Sequence, residues 1–502
     1  MWARTLLHSR TQVSVRRLCS SFHPHSSVNL PSSRTLVHSQ PDPHSRASLS
    51  TANRAKVDSL ICPPSSTTMP SSMRCSLQRQ FCRTPALRHF SCSATLMVSD
   101  PASTVSAGMH QTPIVDELWR RRQMKAAGSA TPEVRVFAAD HPKTPQFSRT
   151  SITYPFSSSE KLRDSYSNPW GKIRVGRVLE DLDALAGNIA AYHCESDQPP
   201  LVIVTASVDR ITMRHRANLK DDMTLSGTVA WVGTSSLEIH MAVTSSWTDM
   251  PWLTAQFVFV ARDPQSGKAA RVPPLAPETQ NEKDLFERCA AISQARKQAR
   301  KERDAAKADS VSMLEWPDHQ YLVKAQDLLK KSVQLTQFPS LMGHYVFQSD
   351  TAASNQLICQ PQQRNTRGRV FGGFLMRRAF ELGFATSYSF SGAQPRFREV
   401  DRVVFHSPVE IGDLLRLRST VLYTSTSKDG RTLMHIEVEA FVAKPEHKST
   451  VLSNTFNFTF ESDGKLVLPE VLPASIEEAH KAVCQMSLNR EQEVCDAAPS
   501  AQ

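Results

Sequence analysis

The sequence lacks several features that would assign it to a common class. No apolar run approaches the roughly 18 residues that cross a bilayer, so we expect no membrane span. The ten cysteines form no Cys-x-x-Cys pair, which indicates neither a zinc site nor a disulfide framework. There is no Gly-x-Ser-x-Gly elbow, and this disfavours a serine hydrolase of the α/β class. We expect no metal and no redox cofactor.

Acidic residues are almost missing from residues 1–99, where twelve Lys and Arg stand against only Asp42 and Asp58. This segment carries nearly all of the formal net charge of +11, so the remaining chain is close to neutral and we expect no nucleic-acid partner. Its Arg- and Ser-rich composition predicts a mitochondrial presequence, with Arg88 opening a candidate processing site; a merely disordered tail is the alternative. The predicted location is the mitochondrial matrix.

The stretch from Asn365 to Gly383 runs from a polar, glycine-containing loop into a helix, and it has an earlier copy. Asn365 and Asn168 each begin an Asn-x-x-Gly sequence, and Gly373 and Gly176 each follow at the same distance. The offset between the copies is 197 residues in both cases. An internal repeat of this kind predicts two domains with one fold.

Each copy continues from its helix into several strands. From Val175 apolar residues recur at helical spacing, and Asp183 lies at the rim of that apolar face. Periodicity alone leaves open whether Asp183 is solvated or held in a cleft. Later runs, such as residues 237–243 and 434–440, alternate apolar and polar side chains. One helix followed by antiparallel-type strands predicts an α+β unit in which a sheet wraps the helix.

Changes in composition divide the chain further. We predict a leader at 1–99, a linker at 100–145, a first domain at 146–275, a charged helical linker at 276–345, a second domain at 346–462 and a tail with a short helix at 463–502. In the second linker acids intermix with Lys and Arg, and no aromatic residues are interleaved. We therefore interpret it as a solvated connecting helix rather than an RNA-binding one.

Together these motifs resemble one known family. The similarity is carried, in chain order, by Arg174 to Asp183, the Arg369-Val-Phe-Gly-Gly loop with its helix, Val400-Asp-Arg-Val and His406-Ser-Pro-Val-Glu-Ile-Gly. This set resembles the mitochondrial acyl-coenzyme A thioesterase 9/10 group of hot-dog proteins. The resemblance implies two tandem hot-dog domains, each a long helix wrapped by an antiparallel sheet, paired as an intramolecular pseudo-dimer. It also implies an acyl-coenzyme A substrate and a homo-oligomer of such chains.

The resemblance further implies which residues act. Asp183 would activate water as a general base, or attack the thioester directly to give an anhydride. Asn365 would orient the water or the thioester carbonyl, and the backbone N–H groups of Gly372 and Gly373 would bind the oxyanion. Without the repeat, close helix packing would account for the glycines and ordinary solvation for Asp183; with the repeat, we favour catalysis.

The mirror-image site departs from this pattern, because Phe380 occupies the position equivalent to Asp183. Glu381, Asn168 and Gly176 form a weaker candidate for a second site, and we predict one working site per chain.

Candidate residues for the coenzyme A phosphates lie beside the second loop. They are Arg364, Arg367 and Arg369, although exposed arginines next to a glycine loop are common without a ligand. The alternative function is a tandem hot-dog protein that binds acyl-coenzyme A, or scaffolds another assembly, without turnover. The pairing of Asp183 with Asn365 argues against that alternative.

A fusion of residues 1–99 to a fluorescent reporter is expected to enter mitochondria, because a basic segment almost free of acids is typical of import presequences. Imaging and protease protection in isolated mitochondria measure the outcome. A fusion that stays in the cytosol contradicts the presequence and favours the disordered tail.

Overall fold

A computed structural model describes residues 140–309, 318–341, 343–365, 368–462 and 466–497, together with Thr95–Met97, Ile114, Ala138 and Trp316. All of these residues belong to one unit, Leu87–Gln502. Apart from Thr95–Met97, the predicted leader and its processing site lie outside the described residues, as does most of the predicted linker at 100–145.

The described residues include thirteen strands. In chain order they are β1 (Thr95–Met97), β2 (Thr150–Tyr154), β3 (Val202–Met213), β4 (Met223–Val232), β5 (Ser236–Ser245), β6 (Thr248–Arg262), β7 (Tyr345–Phe347), β8 (Ala353–Ile358), β9 (Arg396–Phe405), β10 (Leu414–Thr426), β11 (Thr432–Lys444), β12 (Ser449–Glu461) and β13 (Glu470–Leu472).

Helices separate these strands into two groups. They are α1 (Pro145–Ser148), α2 (Glu160–Ser165), α3 (Val175–His193), α4 (Gln280–Asp309), α5 (His319–Gln337), α6 (Gly372–Ser391) and α7 (Ile476–Ala497). Short 3-10 turns occur at Pro339–Leu341, Gln348–Thr351, Pro361–Gln363 and Pro445–His447. No described helix is both long and apolar enough to cross a membrane.

The described residues form an 11-stranded sheet in the order β1-β2-β4-β5-β6-β3-β9-β12-β11-β10-β8. Its pairs are antiparallel except for β1 with β2, and β13 pairs separately with β7. The two repeats meet where β3 pairs with β9, through register partners such as Val208 with Val403. One sheet therefore runs continuously through both repeats.

Each group of strands wraps its own long helix. The apolar face of α3, including Leu182 and Ile189, is buried against the first group. The matching face of α6 is buried against β10, β11 and β12, where Phe456, Phe458 and Phe460 alternate inward. This confirms the predicted fold: an α+β chain of two tandem hot-dog domains joined as an intramolecular pseudo-dimer.

The connector and the tail are more ordered than their composition indicates. The charged stretch forms α4, but a second helix, α5, follows it and carries a buried apolar side that includes Ala325 and Leu328. That side packs against Val483 of α7, which is 22 residues long. The tail helix is thus held in place by hydrophobic contact with the connector.

The two long helices bring buried charge together where the repeats meet. Glu180 of α3 and Arg377 of α6, at equivalent positions 197 residues apart, form an ion pair with Oε2 to Nη1 at 2.8 Å. Burial raises the pKa of Glu180 to about 7, although Arg377 opposes the rise. Helical periodicity predicts that the polar Glu180 and Asp181 point away from the buried face; that prediction is wrong, since both are at most 3% exposed.

Gly373 is needed for the close approach of these helices. A Cβ at Gly373 would lie 2.8 Å from the Glu180 carbonyl oxygen and 2.7 Å from the Phe371 ring. At the equivalent Gly176, a Cβ would meet side-chain atoms of Arg377 and Phe380, each at 3.2 Å. The Cβ at Gly373 would meet the Glu180 backbone, which cannot easily move, whereas the Cβ at Gly176 would meet side chains that can shift.

We expect Gly373→Ala to lower the free energy of unfolding by ~1–3 kcal/mol, because the added methyl group pushes α6 away from α3. The matched variant Gly176→Ala is expected to be near neutral, since the gain in helix propensity offsets a mild contact. Denaturant unfolding of both variants measures the difference. Equal losses in the two variants would contradict this account of the packing.

Candidate active site

Asp183 lies on α3 and is 2% exposed, so the helix holds a carboxylate inside the protein. Its Oδ1 accepts a hydrogen bond from Thr205 Oγ1 at 3.2 Å, and its carboxylate also accepts one from the Gly373 backbone N–H. Burial raises the pKa of Asp183 to about 6, and these two hydrogen bonds limit the rise. A buried carboxylate with such a pKa is ionised at neutral pH and still able to accept a proton.

The other side of this site is the N-terminus of α6. Gly372 and Gly373 are its first two residues, and a Cβ at Gly372 would lie 3.1 Å from Asp183 Oδ2. The first N–H groups of a helix have no partners within the helix and carry partial positive charge. Glycine at both positions lets these groups approach the carboxylate. The structure therefore brings Asp183, Gly372 and Gly373 together across the two repeats.

The backbone N–H of Gly373 makes a different contact from the predicted one. Its N–H donates to Asp183 rather than facing an open space for an oxyanion. Its role as an oxyanion donor, like that of Gly372, stays a prediction.

Asn365 opens the loop that leads to this helix. Its Oδ1 accepts from the Arg369 N–H at 3.2 Å, its N–H donates to the Arg369 carbonyl at 2.6 Å, and its carbonyl accepts from Gly368. Gly368 has a φ of 81°, a left-handed conformation that explains the glycine. Asn365 thus has a clear role in shaping the loop, and its predicted role toward substrate or water stays a prediction.

The first repeat builds the same loop. Asn168 Oδ1 accepts from the Lys172 N–H at 2.9 Å, Gly171 donates to the Asn168 carbonyl, and Gly171 has a φ of 66°. The antiparallel bridges also match, with Ser167 to Ile173 in one loop and Arg364 to Val370 in the other. The Asn-x-x-Gly pattern therefore encodes a turn in both repeats.

The mirror-image site holds an aromatic ring where the first site holds a carboxylate. Phe380 packs against Gly176 and stacks edge-on with Phe397 and Phe458 at centroid distances of 5.2 and 5.8 Å. Glu381, the remaining carboxylate, pairs with Arg174 at 2.5 Å. These partners keep Glu381 in an ion-pair network, which includes Arg378 at 2.9 Å.

The candidate arginines differ in their surroundings. Arg364 is exposed at the edge of the loop. Arg369 is also exposed and pairs with Glu410 at 2.9 Å. Arg367 lies outside the described residues.

Three polar residues of this region were missed from the sequence. Thr205 interrupts an otherwise apolar strand run, and that interruption is the signal that could have identified it. Asp181 accepts a hydrogen bond from the Tyr166 hydroxyl. These residues are 15 positions apart in the sequence, so no local pattern links them. Arg377 falls on the inner side of α6, where its pairing with Glu180 could only be found by placing the two helices together.

No protein-family model matches the chain. Acyl-coenzyme A thioesterase 2, chloroplastic, of Humulus lupulus is 40% identical over 402 residues, covering 76% of this chain and 89% of that protein. Acyl-coenzyme A thioesterase 4, mitochondrial, of the same plant is 41% identical over 397 residues, covering 76% and 73%.

Animal relatives and a solved structure also match. Acyl-coenzyme A thioesterase 9, mitochondrial, of Homo sapiens is 34% identical over 344 residues, covering 67% of this chain and 76% of that protein. An acyl-coenzyme A hydrolase from Staphylococcus aureus, solved with butyryl coenzyme A, is 23% identical with a TM-score of 0.28, covering 30% of this chain and 94% of its own. The identities to the curated relatives confirm the resemblance seen in the motifs, and this chain belongs to the acyl-coenzyme A thioesterase family.

Proposed function

We propose that this chain hydrolyses acyl-coenzyme A to a free acid and coenzyme A at a site between α3 and α6. The observation that carries the proposal is the buried Asp183 carboxylate held against the N-terminus of α6. Membership of the thioesterase family supports the reaction type, because the relatives named above are thioesterases. The acyl-coenzyme A substrate follows from the same relatives.

Asp183 is assigned the proton transfer. With a pKa of about 6 it is ionised at neutral pH, and Thr205 fixes Oδ1 while Oδ2 lies beside Gly372. As a general base it takes a proton from water as the water oxygen bonds to the thioester carbon. When the carbon–sulfur bond breaks, the leaving thiolate receives that proton. Direct attack by Asp183 to give an anhydride needs the same ionised carboxylate.

The negative oxygen of the tetrahedral intermediate is assigned to the start of α6. The Gly373 N–H already holds Asp183, so we assign the oxyanion to the Gly372 N–H and the positive end of the helix. Asn365 has its Oδ1 fixed by Arg369, which also fixes the direction of its NH₂ group. We propose that this NH₂ group orients the thioester carbonyl or the water.

We propose a single working site per chain. The mirror-image position holds Phe380, and Glu381 is committed to ion pairs with arginines. A second site built from Glu381, Asn168 and Gly176 would need Glu381 to leave those arginines. The non-catalytic alternative, binding without turnover, would leave a buried carboxylate with a raised pKa beside the N-terminus of α6 without a function.

The remaining assignments concern the coenzyme A phosphates, the location of the protein and its assembly. Arg364 is exposed beside the loop and suits the coenzyme A phosphates, as does Arg369 if it leaves Glu410. We infer the mitochondrial matrix from the leader composition and from two relatives that carry "mitochondrial" in their names, although a third is chloroplastic. The domain boundaries follow from the changes in composition along the chain, and the homo-oligomer is what the family resemblance implies; both stay predictions.

We expect kcat/KM for thiol release from acyl-coenzyme A to rise with pH and level off above an apparent pKa of about 6, because only ionised Asp183 accepts a proton. Asp183→Asn is expected to reduce the rate by about 10²–10⁴-fold and to abolish that step. Its stability at pH 8 is expected to be no lower than wild type, since a buried charge is removed. Undiminished turnover in Asp183→Asn, or a wild-type kcat/KM that does not change with pH, would contradict the role assigned to Asp183.

Asn365→Ala and Asn168→Ala form a matched pair, because both side chains accept a hydrogen bond in the same turn. Each is expected to lower the free energy of unfolding by about 1 kcal/mol. Only Asn365→Ala is expected to reduce kcat, by about 10²-fold, as for the loss of one oxyanion donor. If kcat is unchanged in both variants, Asn365 has the loop role alone.

A further inference from the structure

Outside the active site, three residues with metal-binding side chains converge on the outer face of the first sheet. Glu238 and His240 are two residues apart on β5, so their side chains project from the same face. Cys289 of α4 lies opposite them. The ligand atoms of all three lie within 4.8 Å of one another.

Their separations can be compared with those around a tetrahedral zinc ion. The observed distances are 3.7 Å from Cys289 Sγ to His240 Nε2, 3.4 Å from Sγ to Glu238 Oε1, and 2.8 Å from Nε2 to Oε1. Zinc–ligand bonds of ~2.0–2.3 Å at tetrahedral angles give about 3.6, 3.5 and 3.3 Å for the same pairs. The two distances to sulfur already match, and the third needs the His240–Glu238 hydrogen bond to open by about 0.5 Å.

The surroundings suit a structural ion. Ala230 and Trp231 of β4, with Leu285, Phe286 and Ala290 of α4, form a small apolar cluster that includes Cys289. The Cys289 residue is 2% exposed and the Glu238 side chain 5%, whereas the His240 side chain is 24% exposed. Water can therefore reach the cluster beside His240 and complete a fourth coordination position.

The charges of the cluster balance those of a dication. A thiolate, a carboxylate and a neutral imidazole around Zn²⁺ give a neutral site, which is the condition for burying an ion at low cost. Burial and then the charge of Glu238 raise the pKa of the Cys289 thiol to about 12, so the metal must displace the thiol proton to water. Two cations of α4, Arg288 and Arg296, lie near Cys289, and Arg296 pairs with Asp209 at 2.6 Å.

We propose that Glu238, His240 and Cys289 bind one Zn²⁺ ion, with water as a fourth ligand, and that this ion fastens α4 to the first sheet. The combination of sulfur, imidazole nitrogen and carboxylate oxygen favours zinc over magnesium or calcium, which prefer oxygen alone. Spacing along the chain did not indicate the site, because 49 residues separate His240 from Cys289. The site lies on the outer face of the sheet and has no part in hydrolysis.

The full-length protein can be tested with Co²⁺, which gives a thiolate-to-metal absorption band when cysteine is a ligand. We expect one equivalent of Co²⁺ per chain to produce this band in the wild type and to be displaced by Zn²⁺. Cys289→Ser is expected to lose the band. Cys484→Ser is the matched control, because Cys484 also lies near a histidine, His480, at 3.4 Å, but this pair belongs to no three-ligand group among the described residues; it should keep the band.

Thermal stability provides an independent test of zinc binding. Zn²⁺ is expected to raise the melting temperature of wild type and of Cys484→Ser, and not that of Cys289→Ser. If Cys289→Ser fails to fold, His240→Gln, at a partly exposed position, replaces it in both measurements and is expected to weaken binding at least tenfold. Wild type without a stoichiometric band, or a band that survives in both Cys289→Ser and His240→Gln, would overturn the proposal and leave a hydrogen-bonded triad.

Discussion

The ion pair between Glu180 and Arg377 is the contact on which the pseudo-dimer depends. These residues occupy equivalent positions of the two repeats and meet where α3 and α6 cross. In a symmetric homodimer a residue at such a position would face its own copy, and two like charges in a buried place would repel. Two repeats on one chain can carry opposite charges there. The pairing thus makes each repeat the required partner of the other.

The same asymmetry separates three buried carboxylates on α3 by their neighbours. Glu180 faces a guanidinium, Asp181 faces the Tyr166 hydroxyl, and Asp183 is held by a backbone N–H and by Thr205. Arg377 engages Glu180 in an ion pair, whereas the neutral donors on Asp183 hold its carboxylate beside the N-terminus of α6, where the proposed reaction takes place. The position of each acid along α3 therefore determines its neighbours, and only Asp183 is assigned a role in thioester hydrolysis. At the equivalent place in α6, Phe380 fills the space with an aromatic ring.

The sequence predicted the parts of this structure that are encoded locally. The repeat, the two long helices and the alternating strands follow from periodicity, and the Asn-x-x-Gly turns follow from the need for a left-handed glycine. The partners of buried groups could not be predicted in this way. The contact of Gly373 with Asp183 and the burial of Glu180 depend on how α3 crosses α6, which is a property of tertiary packing. The sequence predicts α5 as part of a charged linker because its apolar side is narrow and is covered by α7 and β13, which lie far along the chain.

The pairing of β3 with β9 bears on how the protein unfolds. Pulling the repeats apart would expose two strand edges and the inner sides of both long helices in one event. The shared sheet and the contact of α3 with α6 therefore couple the stability of the two hot-dog domains. A ligand bound between α3 and α6 stabilises both domains at once, although it contacts only one end of each.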